Sequence, residues 1–198
     1  MKIVPKKNLG QNFLIDQNVI DQIIEIGNIS RGDSILEVGP GTGNLTSSLL
    51  KKKPKKLFVV EKDDQLAKRL EENFSKEITI INKDILNLNE NLLSQDELIV
   101  FGNLPYNIST EILCKWILNL NDKKIWFKSL ILMFQKEVAN RIISNFNSSD
   151  YGRLSILTNW KLNVKKIFDI KPNSFSPQPK IDSTLLFFTP KNQFQKLK

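Results

Sequence analysis

The stretch LEVGPGTGNL, residues 36–45, sets Gly39, Gly41 and Gly43 between a short buried-type strand and the helix that follows. Glycines at such a junction let the backbone pass close to a ligand, and the first turn of the helix offers free N–H groups. The same alternation of strand and helix runs on along the chain, which favours a layered α/β fold. Strand patterns occupy 34–39, 56–61, 78–84, 97–103 and 129–135. Helical patterns occupy 16–29, starting at an Asp16 cap, then 45–53, 64–74, 110–120 and 136–146. Beyond Tyr151 the order is a helix at 154–160, a strand at 163–170, a proline-rich loop at 171–183 and a strand at 184–190. The expected architecture is a mostly parallel, doubly wound sheet ending in an antiparallel element. No internal repeat interrupts it.

The glycine spacing narrows the ligand. Dinucleotide sites use G-x-G-x-x-G, whereas here Asn44 stands where the third glycine belongs. No G-x-x-x-x-G-K-[ST] occurs, so a P-loop is excluded. Two acidic residues close the next two strands, Glu61 in LFVVEKD and Asp84 in INKDIL. A carboxylate at the first position can accept from ribose hydroxyls, and one at the second from the exocyclic amine of an adenine. Together these features outline a nucleoside-shaped crevice at the carboxyl edge of the sheet.

Composition removes several chemistries. The 198 residues include no histidine and one cysteine, Cys114, which excludes histidine-based triads, histidine-ligated metals and an internal disulfide. No metal is expected. No apolar run reaches membrane-spanning length, and the N-terminus lacks the apolar middle of a signal peptide, so the expected address is the cytoplasm. The net charge is +8, and nine basic against two acidic residues fall between Tyr151 and Lys198. Further clusters are KKNLGQ near the start and KKKPKK at 51–56. Clustered positive charge points to a polyanion, most often nucleic acid. For KKKPKK, a solvated helix end explains the charge equally well.

After the fourth strand the chain reads Asn103-Leu104-Pro105-Tyr106, an amide, a rigid corner and an aromatic ring. With Glu37-x-Gly39-x-Gly41-x-Gly43, Glu61 and Asp84, this tetrad resembles the class I S-adenosylmethionine-dependent methyltransferases that act on an amino nitrogen. More narrowly, LGQNFL (9–14), NLPYNIST (103–110), LMFQKEVANRI (132–142), YGRLSIL (151–157) and FSPQPKIDS (175–183) resemble, in order, the motifs of the KsgA-type ribosomal RNA adenine dimethyltransferases.

The resemblance implies a Rossmann-like fold, S-adenosylmethionine as cofactor and dimethylation at N6 of two adjacent adenines in a small-subunit rRNA hairpin. Asn103 and the Leu104 carbonyl would accept from the target amine, with Pro105 aiming that carbonyl. Tyr106 and Phe175 would stack on the two faces of the base. Leu104 stands where many mono-methylating relatives carry proline. Asn12, Leu14, Gly39, Gly41, Gly43, Glu61, Asp84 and Asn103 would surround the cofactor; Lys180 would meet phosphate, although solvent exposure alone explains that lysine equally well. A monomer acting on the immature small subunit is the expected partner state.

The resemblance also implies one catalytic domain over 1–198, without the helical domain that usually follows in the family. Two other functions fit parts of the pattern. One is the large-subunit adenine methyltransferase of macrolide resistance, against which FQKEVANR, YGRLSIL and Leu104 speak. The other is a non-catalytic assembly or transcription factor on the same fold, which predicts damage to the tetrad or the acidic pair.

Overall fold

Asp16 starts the first helix as its sequence requires: its carboxylate accepts from the backbone N–H groups of Asn18 and Val19, which a helix would otherwise leave unpaired. The computed structural model describes residues 10–74, 76–120 and 125–194. Its elements run β1 (Phe13–Leu14), α1 (Gln17–Ile26), β2 (Ser34–Val38), α2 (Asn44–Lys51), β3 (Lys56–Val60) and α3 (Asp64–Phe74). Then follow β4 (Thr79–Ile81), β5 (Leu98–Gly102), α4 (Ser109–Asn119), β6 (Phe127–Gln135) and α5 (Lys136–Ile143). The last are α6 (Arg153–Lys161), β7 (Leu162–Ile170), β8 (Phe175–Ser176) and β9 (Ser183–Pro190).

Seven strands form one sheet in the order β4-β3-β2-β5-β6-β9-β7. The first five pair in parallel, and β9 runs antiparallel to both β6 and β7. From β2 the chain steps outward through β3 to β4, then returns to place β5 on the other side of β2. Strand order therefore reverses between β2 and β5, the point at which open α/β sheets form a crevice.

Helices cover both faces, so the central strands are buried throughout and read as continuous apolar runs. On one face Ile20, Ile23 and Ile24 of α1, Leu45 and Leu49 of α2 and Leu70 of α3 pack on Ile35, Val59 and Phe101. On the other, Ile112 and Trp116 of α4 and Ile142 of α5 pack on Leu36, Val100 and Leu132. Each such side chain contributes about 1.5–3 kcal/mol by leaving water. Trp116 and Trp126 meet edge to face at 5.7 Å.

Three local departures have physical causes. The strand expected through residue 84 ends at Ile81, because the Asn82 side chain turns to the Glu61 carbonyl and Asp84 caps a 3₁₀ turn at Ile85–Asn87. The helix expected to residue 146 ends at Ile143, where Ser144 takes an extended backbone. Within the expected loop at 171–183, β8 forms a two-residue antiparallel ladder with β1. Lys6 and Lys7 of the N-terminal basic cluster, and Leu9 of LGQNFL, lie outside the described residues.

Candidate active site

Gly39 and Gly41 take left-handed backbone, with φ of 70° and 57°. Left-handed backbone is strained for any residue with a Cβ. At Gly39 a Cβ would stand 3.0 Å from the Asn103 carbonyl oxygen; at Gly41 it would stand 2.5 Å from the Phe13 ring. The loop thus brings the tetrad and the N-terminal segment against the end of β2. Between these walls lies a crevice enclosing about 1010 Å³, part of it open to solvent. Gly43 stands apart: it caps α2 and packs towards Phe74 rather than lining the crevice.

Glu61, 7% exposed, follows β3 at the crevice wall. Its Oε2 accepts from the Gly41 N–H at 3.3 Å and its Oε1 from the Asp63 N–H at 2.9 Å. Burial raises its pKa, only partly offset by those bonds. Each oxygen retains acceptor capacity for a further donor.

Asp84 lines the same crevice beyond β4, with Oδ1 accepting from the Leu86 N–H at 3.0 Å and Oδ2 from Lys62 Nζ at 2.8 Å. The Lys62 hydrogen bond holds this carboxyl below its usual range. Lys62 was not singled out in the sequence, since a lysine after a strand carries no signal of its own.

The tetrad follows β5 directly. Asn103 donates from Nδ2 to the Asn12 carbonyl at 2.8 Å, which orients the amide and leaves its oxygen as the free acceptor. Leu104 is buried below it at 1% exposure. The Tyr106 hydroxyl meets Ser183 Oγ at 2.5 Å, and burial raises the phenol's pKa, so it stays protonated. Ser183, 77 residues further along at the start of β9, gave no signal in the sequence. Above the crevice Asn12 donates to the Gly10 carbonyl, and Gln11 donates to Asp63 at 3.2 Å.

Two further expected site residues do not line the crevice. Leu14 and Phe175 pair across the β1–β8 ladder, and both are buried in the core, at 5% and 1% exposure. Neither lines the crevice, since a side chain in so short a ladder turns either to the core or to solvent, and these two turn inward. From the N-terminal segment it is Gly10, Gln11, Asn12 and Phe13 that line it.

Glu37 is 1% exposed beneath the glycine loop. Its Oε2 accepts from Thr46 Oγ1 at 2.6 Å, while Oε1 has no partner among the described residues. Burial pushes its pKa up to about 8. Among the described residues no cluster of acidic, cysteine or histidine side chains could hold a metal, and no helix is long and apolar enough to cross a membrane.

A crevice at the reversal point of a seven-stranded sheet whose one antiparallel strand, β9, lies next to the edge belongs to the Rossmann-like class I methyltransferases. A dimethyladenosine transferase from Plasmodium falciparum superposes with a TM-score of 0.80 at 30% identity, covering 90% of this chain and 63% of that one. The 23S rRNA methyltransferase ErmE shares the fold, with a TM-score of 0.79 at 24% identity, covering 94% of this chain and 73% of that one. In sequence, residues 4–198 match the family model described as ribosomal RNA adenine dimethylase. The chain belongs to that family. It is 66% identical to ribosomal RNA small subunit methyltransferase A of Pelagibacter ubique, over all of this chain and 75% of that protein. It is 41% identical to the protein of the same name from Wolbachia pipientis, over 94% of this chain and 70% of that one.

Proposed function

We propose that this enzyme uses S-adenosylmethionine to dimethylate N6 of two adjacent adenines in a hairpin of small-subunit rRNA, acting as a monomer on the immature subunit in the cytoplasm. Residues 1–198 would serve as the catalytic domain. One observation carries the reading most directly: Asn103 has its nitrogen fixed on the Asn12 carbonyl, so its oxygen is held ready to accept at the crevice.

The crevice suits the cofactor by its donor set. Glu61 and Asp84 supply acceptors at successive strand ends, and the two glycines keep the floor free of side chains that would collide with Asn103 and Phe13. When bound, S-adenosylmethionine supplies a methyl group on a sulfonium, a good leaving group. Glu61 accepts from the ribose hydroxyls and Asp84 from the amine of the cofactor's own adenine.

The target's N6 is a poor nucleophile because its lone pair is delocalised into the ring. Accepting from that amine at the Asn103 oxygen and the Leu104 carbonyl biases the nitrogen towards a tetrahedral geometry. The backbone is already set for this, so alignment rather than acid–base chemistry does most of the work. Tyr106, tethered by its hydroxyl to Ser183, offers its ring to the base. The proton on the alkylated nitrogen is acidic and passes to water, which suits a chain without histidine.

The small-subunit target is favoured over the large-subunit one by the curated relatives at 66% and 41% identity. The test is methylation of immature small subunits with labelled cofactor, followed by mapping of the modified bases. Two adjacent dimethylated adenines are expected; label confined to large-subunit rRNA, or none in any rRNA, defeats the proposal.

A further inference from the structure

One charge lies buried where packing alone would place an apolar side chain. Lys115 sits on the inward flank of α4, three residues after Ile112 and next to Trp116, with its side chain 15% exposed. An ammonium has three N–H donors, and here each finds an acceptor. They are the Ile85 carbonyl at 2.6 Å, the Leu88 carbonyl at 2.5 Å and Glu90 Oε1 at 2.7 Å. Glu90 is itself 4% exposed, and the same oxygen accepts from Trp116 Nε1 at 2.6 Å. A buried lysine–carboxylate pair is a poor device for stability, because apolar replacements often serve as well.

What the pair holds is more telling. The three acceptors lie within residues 85–90, in the segment between β4 and β5 whose regular structure is limited to two 3₁₀ turns. Ile85 and Leu86 line the crevice beside Asp84, and Asp84 caps the first of those turns. Such a segment has little internal structure to hold its shape. Ile85, Leu86 and Leu88 pack on the core, and the backbone carbonyls of Ile85 and Leu88 are held from outside by a cation on the helix that starts three residues after Tyr106.

We propose that Lys115, with Glu90 as its counter-charge, is a positioning residue that fixes the Asp84–Leu86 edge of the crevice and so governs recognition of the cofactor's adenine. This rests on Asp84 accepting from the exocyclic amine, as proposed above. Without the ammonium the Leu88 carbonyl loses its donor and the Ile85 carbonyl keeps only the Leu88 N–H at 3.2 Å; the turn relaxes, and the Asp84 carboxylate no longer faces the amine. Lys115 does not itself line the crevice.

The experiment compares the wild type with Lys115→Met and with the double variant Lys115→Met/Glu90→Gln, which preserves neutrality and an acceptor for Trp116. Thermal melts establish folding, and calorimetry measures binding of S-adenosylmethionine and of an analogue whose purine lacks the 6-amino group. The folded variants are expected to bind S-adenosylmethionine at least about tenfold more weakly, since a charge-assisted contact is lost at second hand. At saturating cofactor kcat should stay within about threefold, and variant and wild type should bind the analogue alike.

Unchanged binding of S-adenosylmethionine by a folded variant overturns the inference. So does an equal loss for cofactor and analogue, which marks a general structural role. Should neither variant fold, Glu90→Gln alone keeps the acceptors and is expected to show a smaller loss in the same direction; no loss overturns the inference. Asp84→Ala, measured alongside, separates the two levels. If it weakens binding and the Lys115 variants do not, only the positioning role fails; if it too has no effect, the assignment of Asp84 fails and the inference falls with it.

Discussion

Asn103 uses the two ends of one amide differently, and that division decides what its replacement should do. Asn103→Ala removes the acceptor proposed for the target amine, so kcat should fall about a hundredfold or more, as for one well-placed polar group. Asn103→Asp keeps an acceptor but turns a carboxylate oxygen towards the Asn12 carbonyl, where an N–H now donates at 2.8 Å. Repulsion there should push back the segment over the crevice and weaken cofactor binding about tenfold in addition. Single-turnover rates and cofactor titrations separate the two effects, and an alanine variant with near-normal dimethylation would reduce Asn103 to a turn residue. Glu37 makes a second prediction. Its folded pKa of about 8 lies above the ordinary 4.5, so the neutral form is favoured by folding. The stability this gives is complete below the unfolded value and is lost as pH rises through about 8. Between about pH 5 and pH 8 the Tm of the cofactor-free wild type should therefore fall relative to Glu37→Gln. Parallel pH profiles for the two proteins would remove Glu37 as the cause.

At the scale of elements, the glycine loop depends on the N-terminal segment being where it is. Gly41→Ala meets both left-handed backbone and the Phe13 ring, and should destabilise the fold by about 1–2 kcal/mol from the backbone alone. Adding Phe13→Leu should recover part of the loss if the ring collision matters, which denaturant melts of the single and double variants can measure. The helices were legible because each carries its own period, as Ile20, Ile23 and Ile24 show, and the central strands because they are short apolar runs between helical stretches. The β1–β8 ladder was not legible, since two residues have no period and exist as strand only through each other. The same holds for Phe175: its motif is plain in the sequence, while its burial in the core comes from its pairing across that ladder. Glu61, Asp84 and Asn103 were legible as strand-end polar groups. The bond of Lys62 to Asp84, that of Asn103 to the Asn12 carbonyl and that of Tyr106 to Ser183 were not, because those contacts come from the fold rather than from neighbours in a recognisable spacing.

For the whole molecule, the basic final quarter is less free than its count suggests. Lys161 is buried at 5% exposure and donates to the Leu118 and Leu120 carbonyls at the end of α4. Lys166 and Lys171 pair with Asp169 and Asp182, as does Lys136 from α5. Lys165 and Lys180 are exposed and carry no ion pair among the described residues. RNA affinity should therefore fall with salt, and Lys165→Gln with Lys180→Gln should flatten the log–log slope by about 0.7 for each lysine that meets a phosphate. Lys166→Gln should change it less, and a salt series on a single-stranded RNA reads both. The strand order has a further consequence, one of timing. β7 has β9 as its neighbour in the sheet, and β9 is also the strand that meets β6. While the chain is being synthesised, β7 emerges first and has no edge to join until β9 slides between it and β6. The Tyr106 hydroxyl waits just as long for Ser183. A nascent chain can lay down the five parallel strands early, yet the Tyr106 side of the crevice gains its tether only after β9 has left the ribosome.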